Sequence, residues 1–510
     1  MEESKENLTP SPSPKANIIT LDEIQNFNGK YPKQLWYLFT IEMWERFCFY
    51  GMRGMLVIFM AGQLLLPESE AQLRYGSIQA FIYAFTFLGG IFADKILGFK
   101  RSLTFGAIMM IIGNMVIALS PHDYFYIGIT LTVIGTGFFK PNVSSMVGDL
   151  YKKGDPRKEA GFSMFYSGIN VGALLGGSLC VWLGKHVSWN SAFLAASIAM
   201  MLGLVIFEIT KNKLGPIGSS PLKDMVPSKR LLRELGVYIL ALLCLPFIFI
   251  MIQNTAYTDI FMYIIGPAAL LFFFYKVFQT KDTNARKKLL AALILILFSV
   301  VFFALFEQAG GSLALFAQNN LSDKVLGFIH IDPNVVNNGA NSLFVIFFSP
   351  LLGIFWLWLN KRNKEPHTVL KFASSFIITG LAFYIFHTEI FFVDAAGKAS
   401  LNIFVLAFFV LTIAELCISP IGLSMMTSLS PHNLSGMMMG LWFLGSAYGQ
   451  YFAAQLGAKV VSSPDESASM MDKLVSYTNG YQQLAIYALI VGVFFFIVAP
   501  WVKKLMQEVK

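Results

Sequence analysis

Five ionisable side chains lie close together in the first apolar segment of this sequence, at Glu42, Glu45, Arg46, Tyr50 and Arg53. At 100° per residue they occupy one face of a helix, about 140° wide. Placing an ion against lipid costs at least ~3 kcal/mol, so this face must contact water or opposite charges. The pattern indicates a surface that handles protons or a charged substrate; a purely structural row of ion pairs is the alternative.

A lysine occupies another apolar segment, at Lys140 in the run Gly-Thr-Gly-Phe-Phe-Lys-Pro-Asn. The flanking glycines allow a neighbouring helix to approach closely, and Pro141 frees a backbone carbonyl in the preceding turn. A lysine at that depth needs an anionic partner. The sequence offers two kinds of partner: the carboxylates of Glu42 and Glu45, or an anionic group of a substrate.

Two lone acids, Glu307 and Glu415, stand in apolar segments of the second half of the chain, and Ser419 follows Glu415 by one helical turn. Either acid could be a hydrogen-bonded core group or part of a structural pair. Together with the cations of the first half, however, they predict a cavity that holds both signs of charge. Such a cavity suits a zwitterion, whose carboxylate would face the basic half and whose ammonium group would face the acidic half.

These charges stand out because the chain holds few others. Only 13% of its 510 residues are charged, about half the share found in soluble proteins. Hydrophobic residues make up 55% of the chain, and the mean hydropathy is +0.61. This composition excludes a soluble enzyme, a disordered scaffold and a secreted disulfide protein. It predicts an all-α integral membrane protein, because a transmembrane barrel would show alternating segments of about ten residues.

Fourteen apolar stretches are long enough to cross a bilayer, given about 20 residues for each helix. We predict transmembrane helices at residues 35–65, 75–94, 102–120, 124–149, 161–184, 190–209, 234–253, 258–278, 288–318, 339–360, 368–388, 401–428, 435–458 and 478–502. Of the 38 lysines and arginines, 29 fall in the N-terminal tail, alternate loops and the C-terminus, and six fall in the opposite loops. The positive-inside rule therefore predicts that both termini are cytoplasmic. The net charge of +8 marks this topology and not nucleic-acid binding.

The spans are arranged as six, two and six. We predict a cytoplasmic tail at 1–34, a six-helix bundle at 35–210, a linker with an inserted transmembrane hairpin at 211–287, a second six-helix bundle at 288–503 and a cytoplasmic tail at 504–510. The first tail has no apolar signal-peptide core, so we expect it to be retained. Two six-helix bundles with a site between them are typical of major facilitator transporters.

One loop supports that assignment. The segment from Gly90 to Arg101 resembles the loop signature of the major facilitators, which combines a glycine, an Asp-Lys pair and a basic end. The carboxylate of Asp94 could pair with a neighbouring helix and so act as a latch on the cytoplasmic side. Ordinary charges of a cytoplasmic loop are the alternative interpretation.

Across residues 35–505 the chain resembles the proton-dependent oligopeptide transporter family, a branch of the major facilitators. The first span is similar to the family signature E-x-x-E-R-F-x-Y-Y, with Phe49 in place of the first tyrosine. A second signature, a basic loop that enters the fifth core helix, is matched by Lys152–Arg157 and Phe165–Gly172. The inserted hairpin is typical of the bacterial members.

The resemblance implies a role for each matching residue. Those implied in proton coupling are Glu42, Glu45, Arg46, Lys140 and Glu307. Those implied in substrate binding are Tyr50, Arg53, Tyr83, Lys140, Asn170, Asn341, Glu415, Ser419 and Trp442. Those implied as gate or latch are Asp94 and Arg53. Family members often pair this arginine with an acid at the outer end of the seventh core helix, where Asn319 stands here, so its partner is left open.

In function, the resemblance implies a proton-coupled symporter that imports di- and tripeptides by alternating access. We expect it in the plasma membrane (the bacterial inner membrane), working as a monomer, with the proton as coupling ion and with no further cofactor, metal or nucleic acid. Another small solute, such as an amino acid, a peptidomimetic drug or nitrate, is the alternative substrate. A membrane enzyme would need clustered catalytic residues, a channel would need rings of charge and an ATP-driven pump would need a P-loop; the sequence shows none of these.

Overall fold

A computed structural model of the protein describes residues 19–152, 154–418, 422–431, 434–461, 469–507 and 509. The chain is almost entirely helical and follows the predicted arrangement of six helices, a hairpin and six helices. Ten of the described helices are long and apolar enough to cross a membrane. The other four predicted spans are also helical, but they contain more polar residues or an interruption.

The first half consists of a short helix and six long ones. These are α1 (Leu21–Gln25), α2 (Lys33–Gly62), α3 (Glu68–Phe92), α4 (Phe99–Leu119), α5 (Pro121–Asp149), α6 (Arg157–His186) and α7 (Trp189–Thr210). A π-helical turn (Ala93–Leu97) joins α3 to α4. Helix α2 packs against α6 and α7, and α4 packs against α5. Buried rings fill this half, where Phe59 lies 5.0 Å from Phe125 and 5.7 Å from Phe193 between ring centroids.

The inserted hairpin is formed by α8 (Pro227–Leu243), α9 (Leu245–Gln253) and α10 (Thr255–Gln279). The sequence predicted one continuous helix at 234–253, but the structure divides it at Cys244. The reason is Pro246 in the first turn of α9, because proline has no amide hydrogen with which to continue the helix. Each of the two predicted spans of the hairpin is nevertheless present.

The hairpin contacts both halves of the protein. On the side of the first half, Glu234 of α8 forms an ion pair with Arg101 of α4. On the side of the second half, Asp259 of α10 accepts hydrogen bonds of 2.6 Å from the Tyr451 hydroxyl and 3.2 Å from Gln455 Nε2. The hairpin therefore lies across the seam between the two halves.

The second half contains α11 (Thr283–Phe306), α12 (Ser312–Asn320), α13 (Pro333–Lys361), α14 (Thr368–His387), α15 (Leu401–Leu416), α16 (Gly422–Leu429), α17 (Ser435–Val461) and α18 (Met470–Met506). A small antiparallel pair, β1 (Lys324–Val325) and β2 (Ile329–His330), connects α12 to α13. Helices α11 and α18 pack against α14 and α17. The rings of Phe298 and Phe495 stack at 3.7 Å between α11 and α18.

Two predicted spans of this half are interrupted, and each interruption falls beside an acid, the buried Glu307 or the half-buried Glu415. The span at 288–318 divides into α11 and α12, separated by a 3-10 turn at Glu307–Gly310. The span at 401–428 ends its first helix at Leu416, one residue after Glu415. Discontinuous helices of this kind are typical of binding sites in secondary transporters, because they expose backbone groups inside the bundle.

The two faces of the bundle differ in charge. We call the face that carries the chain termini and the lysine- and arginine-rich loops the basic face, and the opposite face the far face. On the basic face, the segment from Ile19 to Tyr31 packs against the loop after α5. Gln25 Nε2 donates to the Asp149 carbonyl at 2.9 Å, and Arg157 Nη1 donates to the carbonyls of Phe27 and Gly29, each at 3.1 Å.

Close packing of α3 on α5 depends on a glycine. A Cβ atom at Gly89 would overlap the backbone of Gly137, whereas a Cβ at Gly90 would lie 3.8 Å from Pro141, an ordinary contact. We expect Gly89→Ala to destabilise the fold by about 1–3 kcal/mol, as overpacking usually does, and to lower the thermal transition temperature in detergent. Gly90→Ala is the matched control and should be neutral; equal transition temperatures for the two variants would contradict this account.

Candidate substrate and proton site

The charged face of α2 is buried inside the first half. Glu42, Glu45 and Arg46, which we call the α2 charge cluster, are all buried. Arg46 Nε lies 3.2 Å from Glu42 Oε1 and also donates to Glu45 Oε2. Among the described residues, Glu42 Oε2 and Glu45 Oε1 have no hydrogen-bond partner. Two carboxylates that share one guanidinium carry an excess negative charge, so the cluster can accept a proton.

Lys140 of α5 lies against aromatic rings of α2 and α3. Its Nζ lies 4.1 Å from the ring centroid of Tyr83 and 5.6 Å from that of Phe49. Within the described part of the chain, no carboxylate is in ion-pair contact with this ammonium group. In this conformation Glu42 and Glu45 contact Arg46. Binding of an anionic substrate group by Lys140 stays a prediction.

Arg53 provides an ion pair between the two halves. Its Nη2 binds Glu307 Oε2, and the two side chains are only 13% and 6% exposed. Arg53 Nε donates to the Tyr75 hydroxyl at 2.9 Å, and the guanidinium lies 5.7 Å from the Tyr50 ring. The partner of Arg53, which the sequence left open, is thus Glu307 and not a residue near Asn319.

The helix break at Glu307 makes room for this pair. Helix α11 ends at Phe306, and Gly310 in the following turn lies against the Tyr75 hydroxyl and Arg53 Nη2, where a Cβ atom would overlap the phenol. A residue other than glycine would therefore displace the Tyr75 phenol, which is hydrogen-bonded to Arg53.

The second lone acid, Glu415, is held by a neighbouring helix. Asn341 Nδ2 of α13 donates to Glu415 Oε2 at 2.8 Å and to Thr412 Oγ1 at 3.2 Å. Trp442 is buried in α17. Ser419, the predicted neighbour of Glu415, lies outside the described residues. The structure therefore brings together Asn341 and Glu415 of the predicted binding set.

Two tyrosines of the first half lie near the acids of the second half. Tyr83 of α3 is close to Glu307, and Tyr166 of α6 is close to Glu415. Asn170, one turn after Tyr166, is buried and donates to the Tyr166 carbonyl at 3.0 Å. Arg53 and Glu307 thus bring a cation of the first half to an acid of the second half, whereas a site for a zwitterionic ligand stays a prediction.

Sequence reasoning missed two residues of this region. The first is Tyr75, which binds Arg53. It is the first residue of the predicted span at 75–94, and no motif of the sequence assigns it a role in binding or coupling. Its signal was available, because Tyr75, Gln79 and Tyr83 recur every four residues and so share one face of α3. The second is Glu68, which lies before the predicted span at 75–94, where the hydropathy pattern indicates a loop.

The far face contains further contacts between the halves. Lys185 Nζ of α6 lies 2.7 Å from Asp332 Oδ2, and His186 Nε2 lies 3.1 Å from the same oxygen. Burial would raise the pKa of the Asp332 carboxyl, but the hydrogen bonds and charge of Lys185 lower it below its ordinary value. A lowered pKa keeps this ion pair intact until the pH falls to that value, so its contribution is lost only in acid. This contact is therefore not a proton switch near neutral pH.

The predicted latch residue Asp94 lies on the basic face. It is exposed in the π-helical turn after α3 and lines a cavity of about 390 Å³ with Gln25, Asp149 and Tyr151. Within the described residues Asp94 has no hydrogen bond or ion pair to a neighbouring helix. Its role as a latch stays a prediction, one that concerns a conformation in which the basic face is closed.

Two six-helix halves, with opposite charges buried between them at helix breaks, define a secondary transporter of the major facilitator fold. The described ion pairs from Lys185 and His186 to Asp332 join the halves at the far face, and α3 packs along α17. The chain belongs to the POT family, whose family model matches residues 100–499.

Individual relatives agree with this assignment. Dipeptide and tripeptide permease A of Edwardsiella piscicida is 30% identical over 481 residues, which cover 93% of this chain and 96% of the relative. A crystal structure of a mutant peptide transporter POT in complex with alafosfalin is 30% identical with a TM-score of 0.81, covering 96% of this chain and 100% of that one. A POT family transporter in complex with 5-aminolevulinic acid is 25% identical with a TM-score of 0.79, covering 94% and 98%.

Proposed function

We propose that the protein is a proton-coupled symporter that imports di- and tripeptides by alternating access. The observation that carries the proposal is the ion pair between Arg53 and Glu307, in which a titratable carboxylate joins the two halves. A proton on Glu307 would remove its charge and release Arg53. Protonation and separation of the halves would then be one coupled event.

The substrate class follows from the two ends of the site. Lys140 has its ammonium group against aromatic rings and would bind the peptide carboxylate, while Glu415, oriented by Asn341, would bind the peptide amino group. Tyr50, Tyr83, Asn170 and Trp442 would line the space between them. The similarity to dipeptide and tripeptide permeases supports this assignment.

In the proposed cycle, the far face first opens and a proton reaches Glu307 or the α2 charge cluster. Neutralising a carboxylate weakens its hold on a cation and allows the peptide to bind. The halves then rock, and loss of the proton on the other side restores the ion pairs and expels the peptide. Each proton that moves inward down 100 mV supplies about 2.3 kcal/mol, which corresponds to roughly fifty-fold accumulation of a neutral substrate.

The proposal also includes the orientation of the protein in the membrane, its cellular location and its oligomeric state. The charge asymmetry of the loops supports a cytoplasmic basic face with both termini inside the cell. The proposed location is the bacterial inner membrane, and a single chain contains both halves of the site, which supports a monomer as the working unit.

A non-peptide solute is the second candidate. The relative with 5-aminolevulinic acid favours it, since that ligand contains no peptide bond. Among such solutes, those with an amine are favoured over nitrate, because a nitrate ion has no group for Glu415 to bind.

Uptake into proteoliposomes tests the proposal. We expect a radiolabelled dipeptide to accumulate when the lumen is more alkaline than the bath and only to equilibrate without a gradient. Unlabelled di- and tripeptides should compete, whereas nitrate should not. Uptake that ignores the pH gradient would contradict proton coupling, and failure of peptides to compete would favour the second candidate.

A further inference from the structure

A carboxylate at the far face joins three helices and, among the described residues, forms no ion pair. Glu68, the first residue of α3, belongs to the first half, and its two oxygens accept hydrogen bonds from the second half. Asn319 Nδ2 of α12 donates to Oε1 at 2.8 Å, and the Tyr477 hydroxyl of α18 donates to Oε2. We call this arrangement the Glu68 clasp (Glu68, Asn319 and Tyr477).

Both donors of the Glu68 clasp are fixed by their own half. Tyr477 is only 2% exposed, and its ring lies 5.5 Å from that of Phe316 in α12. The backbone carbonyl of Asn319 accepts a hydrogen bond from Lys398 Nζ, which ties the end of α12 to the loop before α15. The second half therefore presents two oriented donors, and a carboxylate is the group that can accept both at once.

We infer that Glu68 is a positioning residue for transport, because the Glu68 clasp holds the far face closed as a second fastening beside the pair of Arg53 and Glu307. The inference rests on the proposed function for its part in the transport cycle. Its distinctive feature is that both donors are neutral, so release of Arg53 by a proton on Glu307 leaves the Glu68 clasp intact. Opening of the far face then requires a separate break of these two hydrogen bonds.

The same helix offers a matched control. Glu70 lies two residues after Glu68 and forms an ion pair with Arg74 four residues further along α3. That pair stays within the first half. Removing the charge at position 70 therefore changes the electrostatics of the start of α3 without touching the contact between the halves.

The experiment measures the separation of the halves at the far face. In the full chain with Cys48, Cys180, Cys244 and Cys417 replaced by serine, spin labels are placed at Leu119→Cys and Phe328→Cys. Both positions are exposed, one at the end of α4 and the other between β1 and β2. Pulsed electron paramagnetic resonance then reports the populations of short and long distances.

Asn319→Asp places a second carboxylate against Glu68, and the two like charges repel. We expect the ratio of long to short distances to rise at least tenfold, and to return to that of the parent when Glu68→Gln is added, since an amide can donate to the new carboxylate. Tyr477→Phe removes one donor and should give a smaller rise. Glu70→Gln should leave the ratio unchanged.

An unchanged ratio in both Asn319→Asp and Tyr477→Phe would overturn the inference. So would an equal rise in Glu70→Gln, or the absence of rescue in the double variant. If Asn319→Asp alone fails to fold, Tyr477→Phe and the double variant still decide the question. The distances are measured without substrate or proton gradient, so a failure of the proposed transport activity would be seen separately.

Discussion

Glu307→Gln is expected to reduce proton-driven accumulation of a dipeptide from roughly fifty-fold per proton to the concentration outside the vesicle. Glutamine has the shape of a protonated glutamate but cannot release a proton or form an ion pair with Arg53. Exchange of labelled for unlabelled peptide across the membrane should continue, because it requires binding and rocking but no net proton movement. Uptake with and without a pH gradient, together with this exchange, measures both effects.

Glu389→Gln is the matched control. Glu389 is as deeply buried in the second half as Glu307, but it lies in the turn after α14, which packs against α14 and α18 of the same half. We expect it to leave accumulation unchanged. Wild-type accumulation by Glu307→Gln would contradict the assigned role of the ion pair, and an equal loss in both variants would indicate that any buried acid of this half is required.

Lys140→Ala is expected to weaken binding of a dipeptide by about tenfold to a hundredfold, the usual range for a hydrogen bond to a charged group. The reason is that Lys140 supplies the cation for the peptide carboxylate. A dipeptide amide lacks that carboxylate, so its weaker binding should be nearly the same in the variant and the parent. Isothermal titration calorimetry of both ligands measures the difference.

The other end of the peptide provides the reciprocal test. Glu415→Gln should weaken binding of the dipeptide but barely change that of an N-acetylated dipeptide, which has no ammonium group. If Lys140→Ala weakened the dipeptide and its amide equally, Lys140 would support the fold of the site and would not contact the carboxylate. If Lys140→Ala weakened binding only of ligands with a free amino group, and Glu415→Gln only of ligands with a free carboxylate, the peptide would bind in the opposite direction.

The buried charges could be located from sequence because apolar segments contain so few of them. The helical period placed Glu42, Glu45 and Arg46 on one face, and the structure shows them in contact. The partner of Arg53 could not be found this way, because Glu307 is 254 residues distant and the pair depends on how two separately folded halves meet. The partner of Lys140 depends on the conformation, which a sequence does not specify.

Helix breaks were harder to predict than helices. Hydropathy averages over about twenty residues, so the short turn at Glu307–Gly310 and the end of α15 at Leu416 do not alter it. Each break lies beside an acid to which the proposed function assigns a role. Pro246 was visible in the sequence, but proline is tolerated within many membrane helices, as Pro141 is within α5.

The inserted hairpin limits how far the two halves can move apart. Its first leg is bound to α4 through Glu234, and its last leg is bound to α17 through Asp259. The bend between the legs is closed by a hydrogen bond of 2.8 Å from Thr258 Oγ1 to the Met251 carbonyl. A segment attached at both ends has a fixed contour length, so a larger displacement must break one of these contacts. We therefore expect the hairpin to restrict how far the two halves can separate during transport.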